Sequence, residues 1–175
     1  MNSLPPIPRG ERRRLSTLRA LNVLDSAPEA FSDAVVSAAA SILNAPRAAI
    51  SLVDASRQWF KGSCGLADEE TPRDVSFCAH AISAGPEPFV IDDTWKDARF
   101  ASNPLVVAPP YIRFYAGFPL IVNGEAIGAL CVMDDRPRVL GAEERERLQE
   151  LAQGTAAWLS LRPSEANRLR DPEAA

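Results

Sequence analysis

The dipeptide Asn123-Gly124 constrains this chain more than any other feature of its 175 residues. Both residues tolerate the positive φ angles of a two-residue type I′ turn, and apolar runs at 115–122 and 125–133 flank them. The pattern predicts a long β-hairpin. A second hairpin is predicted upstream. Residues 48–53 (AAISLV) form a short, partly β-branched apolar run, Asp54-Ala55-Ser56-Arg57 supplies a turn, and residues 58–61 (QWFK) start the returning strand.

Helical spacing brackets these strands. Leu15, Leu18, Leu21 and Leu24 recur among arginines in residues 9–25, which read as an amphipathic helix. Ser26-Ala27-Pro28-Glu29 restarts a second helix that runs to Leu43 with Phe31, Val35, Ala38, Ala39 and Ile42 inward. Near the other end, residues 143–161 put Leu148, Leu151, Ala152, Thr155, Trp158 and Leu159 on one face, and Pro163 stops that helix. Between the hairpins, residues 62–110 are irregular apart from a short helix at 76–83 and a short strand at 88–91. An insert of that length in a compact domain points to function. The expected class is α+β: an antiparallel sheet with helices on one face and a loop-covered pocket on the other. Residues 1–8 read as a flexible lead, 9–162 as one domain and 163–175 as a flexible tail.

A hydrophobic share of 46% suits a globular core. A net charge of −4 without long single-sign runs argues against nucleic acid as a direct partner. No apolar run nears the ~20 residues of a membrane helix, and residues 1–9 lack the apolar stretch of a signal peptide. Three cysteines at unrelated spacings (Cys64, Cys78 and Cys131) do not form a disulfide framework, and a reducing, cytoplasmic setting is expected.

Chemistry-bearing residues gather in and beside the insert. His80 is the sole histidine, so a His-based metal site or a Ser-His-Asp device has little to draw on. Cys78 stands two residues before it, a spacing that parts the two side chains on a helix. His80 is read either as a ligand contact or as a structural, hydrogen-bonded histidine. Asp92, Asp93 and Asp97, with Arg99, could meet a hard cation, but loop capping of backbone amides accounts for them more simply. Trp95 would help to lock the loop down. Arg113 and Tyr115 flank Phe114 in a strand and so share one face; they suit an anionic or aromatic ligand, or Arg113 ties an insert aspartate to the sheet. Trp59 and Phe77 read as core or pocket lining.

Six blocks in order, LxxLxxLxVLDSAPE (15–29), ISLVDASRQWFK (50–61), GLADEETPRDVSFCAHAI (65–82), DDTWKDARFASNPLV (92–106), IRFYAGFPL (112–120) and GEAIGALCVMDDRPR (124–138), resemble the GAF family of sensory domains. The subgroup they are similar to precedes bacterial histidine kinases and diguanylate cyclases. The resemblance implies a central antiparallel sheet, terminal helices on one face that commonly form a parallel dimer bundle, and a pocket on the other. It implies an unidentified small-molecule ligand and a role in signal transduction, read out by a separate partner such as a histidine kinase or diguanylate cyclase. The Leu15/Leu18/Leu21 and Leu148/Leu151/Leu159 stripes could build a homodimer or simply cover their own sheet. No cofactor is named by the sequence, because ligands in the family vary on one fold. The binding reading makes the chain a non-enzyme. The alternatives are a free methionine sulfoxide reductase, which needs a nucleophilic and a resolving thiol, and a ligand-free dimerisation scaffold.

Overall fold

A computed structural model describes residues 4–162. The predicted tail at 163–175 lies outside the described residues, as do residues 1–3 of the lead. Two helices come first, α1 (Glu11–Ala20) and α2 (Ala30–Leu43). The first hairpin is β1 (Arg47–Val53) and β2 (Arg57–Cys64), and the insert holds β3 (Glu70–Pro72), α3 (Phe77–Ala84), β4 (Phe89–Ile91) and α4 (Pro104–Val107). The second hairpin, β5 (Phe114–Val122) and β6 (Glu125–Asp134), precedes α5 (Ala142–Ser160). The six strands form one antiparallel sheet in the order β3-β2-β1-β6-β5-β4. Asn123 (φ 51°) and Gly124 (φ 77°) make the turn that the sequence calls for.

Strand alternation divides the sheet into two faces. Ile50, Leu52, Phe114, Phe118, Leu120, Leu130 and Val132 point to α1, α2 and α5 and form the larger core with Leu18, Leu148 and Leu159. Ala49, Tyr115, Cys131 and Met133 point to α3, α4 and the insert. The leucine stripes of the terminal helices therefore cover their own sheet, with Leu18, Leu148 and Leu159 fully buried. Two bulges interrupt the ladders, one opposite Ile50/Ser51 and one at Leu120/Ile121.

The second helix is rotated from its predicted face. Ser32, Val35, Val36, Ala39 and Leu43 are buried, whereas Phe31 is 43% exposed and Ala38 is exposed. Close approach is the reason: a Cβ on Gly62 of β2 would sit 3.0 Å from the Ser32 Cβ, so a small side chain must face the strand. Phe31 instead stacks on Trp158 of α5 at 4.6 Å between ring centroids. Charged residues also enter this face. Arg14, 1% exposed, donates to the Val53 carbonyl at 2.6 Å and pairs with Glu11. Lys61 is held by Ser26 Oγ, the Ala27 carbonyl and Glu29 at 2.6–2.8 Å. Buried charge is tolerated where every donor finds an acceptor.

Candidate functional site

The insert roofs the second face of the sheet and leaves a cavity of about 330 Å³ beneath it. Its walls come from β2 (Gln58, Phe60), the turn after β2 (Gly65, Leu66), α3 (Phe77, Cys78), α4 (Leu105) and the central strands (Tyr115, Cys131, Met133). Local structure explains this placement. Ser76 caps α3 by accepting from the Ala79 amide at 3.0 Å, which points Phe77 and Cys78 at the sheet. Asn103 caps α4 through the Leu105 amide at 2.9 Å and donates to the Val75 carbonyl at 3.0 Å, so it ties α4 to the entry of α3. Gly65, at φ 69°, lets the chain turn against β1, where a Cβ would strike the Pro46 carbonyl oxygen at 2.1 Å.

The cavity floor carries sulfur. Cys78 and Cys131 approach to 3.7 Å between Sγ atoms, and the Tyr115 hydroxyl donates to Cys78 Sγ at 3.2 Å. Cys131 in turn hydrogen-bonds the Ala49 carbonyl at 3.6 Å. Hydrogen bonding from Cys131, joined by Ser51 and Tyr115, holds the Cys78 thiol below its ordinary range. The shared bond and burial push Cys131 well above it. Burial, with the thiols beside it, raises the Tyr115 phenol, which stays neutral and able to donate. Gln58 is locked on the same wall: its Oε1 accepts from Ser51 at 3.1 Å and Ser76 at 2.6 Å, and its amide nitrogen donates to Thr71 at 2.6 Å.

Of the residues singled out in the sequence, Phe77, Cys78 and Tyr115 come together at the cavity. Trp59 does not. It points to the helix face and packs in the larger core, because strand alternation gives the cavity to Gln58 and Phe60. His80 lies on the far side of α3 in an aromatic cluster, edge-on to Phe100 at 4.7 Å and stacked with Phe89 at 6.4 Å.

The insert aspartates form loop architecture away from the cavity. Asp93 accepts from the Trp95 amide at 3.2 Å, and Asp97 from the Arg99 amide at 3.0 Å. Asp92 is exposed; its backbone carbonyl accepts from the Arg138 amide at 3.0 Å. Arg113 pairs with Asp93 at 2.9 Å and lies over the Trp95 ring at 3.6 Å, so it ties loop to sheet. The Arg99 side chain holds Asp97 below the usual carboxylate range; burial raises Asp93 and Arg113 outweighs it. Among the described residues no group of three or more His, Cys, Asp or Glu could hold a metal ion.

Arg47, Phe60, Leu66, Cys131 and Met133 also line the cavity, and none of them is singled out as a site residue by the sequence. A period-two count from Ala49 marks Cys131 and Met133 only once the register of the two hairpins is known. Arg47 gave no signal beyond its position at a strand start.

Comparison with known proteins places this geometry. The family model for the GAF domain matches residues 27–157. The chain is 42% identical over 135 residues to the cyclic di-GMP phosphodiesterase PA2567 of Pseudomonas aeruginosa, a match that covers 77% of this chain and 23% of that protein. Solved structures share the fold. A domain of a protein named as a two-component sensor histidine kinase, from Sinorhizobium meliloti 1021, has a TM-score of 0.62 at 22% identity, with 86% of this chain and all of that one (100%) covered. The blue-light absorbing form of the Thermosynechococcus elongatus PixJ GAF domain also reaches 0.62, at 18% identity over 91% of this chain and 92% of that one. The family match, the antiparallel sheet flanked by terminal helices and the insert-roofed cavity together show that this chain belongs to the GAF domain family.

Proposed function

We propose that this GAF domain is a sensory module that binds a small molecule in the cavity under the insert and reports occupancy to an output partner or domain. The cavity carries this reading. It is enclosed by α3, α4 and the turn after β2 rather than by the packed helix face, it is mostly apolar, and its volume lies at the lower end of the ~300–1,000 Å³ range of small-molecule sites. The family is common in signalling proteins, and the relative above, a cyclic di-GMP phosphodiesterase, suits a signalling output. A ligand that contacts both α3 and the central strands would change the packing of the insert against β5 and β6, and strain in a close-packed interior passes to the helices on the far face. Self-association through α1 and α5 belongs to this reading. It would use their outer surfaces, with half-buried Leu15 and Leu151 at the edge, since Leu18, Leu21, Leu148 and Leu159 are taken up by the core.

Native mass spectrometry of the purified protein against its denatured mass tests the proposal. Extra mass lost on denaturation supports a non-covalent occupant and identifies it. A bare mass that no metabolite mixture changes points to the scaffold alternative.

The two thiols on the cavity floor favour one second reading, a sulfoxide reductase. Cys78 thiolate would attack the sulfoxide sulfur as the sulfoxide oxygen takes up a proton; that oxygen then passes to Cys78 Sγ as its bond to the substrate sulfur breaks, which releases the sulfide and leaves Cys78 as a sulfenic acid. Cys131 would then displace water to form a disulfide, and an external thiol would restore the pair. Turnover of free methionine sulfoxide that Cys78→Ser abolishes supports this reading, and no turnover in the unmodified protein sinks it.

A further inference from the structure

Among the described residues, the buried and half-buried arginines are paired with one exception. Arg14 and Arg73 bind Glu11, Arg57 binds Asp25 and Glu70, Arg113 binds Asp93, Arg138 binds Asp134 and Arg162 binds Glu29. Arg47, half-buried at the start of β1, has no ion pair or hydrogen bond from its side chain to any described residue, and its Nη1 is buried without a partner. It lines the cavity. A guanidinium nitrogen that is withdrawn from water and left without an acceptor is costly, so the buried Nη1 of Arg47 favours an anion from outside the chain.

We infer that the cavity takes a small organic acid, a single carboxylate on an apolar body, with the carboxylate paired to Arg47. This rests on the cavity being the receptor site. The surrounding wall sets the rest of the ligand. Phe60, Leu66, Phe77, Ile112 and Met133 offer apolar and aromatic surface. The side chain of Gln58 is committed on both of its polar ends, so it adds little recognition of its own. Arg47 is the one cationic side chain among the described residues that line the cavity, and the exposed Asp68 stands at its edge as the one carboxylate. One positive charge with a negative neighbour suits a monoanion and disfavours phosphate esters, which carry more charge and draw on several donors.

Matched pairs of acids and alcohols test the assignment: benzoate with benzyl alcohol, phenylacetate with 2-phenylethanol, and 4-phenylbutyrate with 4-phenylbutan-1-ol. Binding is measured by calorimetry on the full chain and on Arg47→Gln, with a thermal melt to establish that the variant is folded. The acid of at least one pair is expected to bind about tenfold or more tightly than its alcohol. Arg47→Gln should remove that margin and leave the alcohol's affinity unchanged. Alcohols that bind as well as their acids, or acids indifferent to Arg47→Gln, overturn the ligand class and leave the receptor reading standing. If no member of any pair binds, the receptor reading falls, and the ligand class with it.

Discussion

The two faces of the sheet are built from the same strands and solve opposite problems. On the helix face, large side chains from β1, β5 and β6 form one core with α1, α2 and α5, and the buried charges Arg14 and Lys61 each have acceptors. On the insert face, short helices and turns cover a cavity whose wall includes a thiol pair and an arginine without a partner. Continuous packing makes the first face the source of stability. The second face gives up packing for a chamber, and among the described residues the one buried unpartnered side-chain polar atom that lines it belongs to Arg47.

The comparison breaks most readily through core truncation. Phe118 is fully buried on the helix face, and Phe118→Ala should cost about 3–5 kcal/mol in urea unfolding. Phe60→Ala, on a half-buried cavity wall, should cost about 1 kcal/mol. Equal losses would mean that the two faces are packed alike. Lys61→Met should cost about 1–2 kcal/mol, because it strips three acceptors of their donor while Glu29 keeps Arg162. Gly117→Ala should be similar in size but act on the cavity. Its Cβ would fall 2.2 Å from the Tyr115 hydroxyl, which must then leave Cys78; the thiolate loses a hydrogen bond that favours it, so slower alkylation of Cys78 is the readout.

A smaller effect comes with acid. Burial raises the Glu11 carboxyl, but hydrogen bonds from Arg14 and Arg73 outweigh it and bring the value from 4.5 down to about 2. The unfolded chain then binds a proton at this site where the folded chain does not. Stability from the α1 network is thus complete above pH 4.5 and falls as the pH drops towards about 2. Glu11→Gln should flatten that part of the pH–stability curve. The smallest effect is expected from Arg47→Gln. It removes no internal bond, so stability should stay within about 0.5 kcal/mol while the acid's margin over its alcohol is lost. A large loss of stability would show that Arg47 is structural.

The sequence made some of this legible and not the rest, for physical reasons. The Asn123-Gly124 turn and the apolar runs beside it act locally, so the hairpin and its boundaries could be read directly. The capping aspartates Asp93 and Asp97 were legible for the same reason, since each bonds an amide two residues on. Trp59 stayed open between core and pocket because its face depends on strand register, which the partner strands set. Phe31 was misplaced because Gly62, distant in sequence, decides how near α2 can come. Arg47 and the Cys78–Cys131 contact are products of tertiary packing between β1, β6 and α3, and no short-range pattern announces them.

Methyl-resolved NMR with a set of small neutral aromatic fragments tests the central claim most directly, because it needs no knowledge of the natural ligand. The account predicts shifts confined to Leu66, Leu105, Ile112 and Met133 around the cavity, with Leu18, Leu130 and Leu148 on the helix face unmoved. Shifts on the helix face instead, or none at the cavity methyls with any fragment, would contradict it.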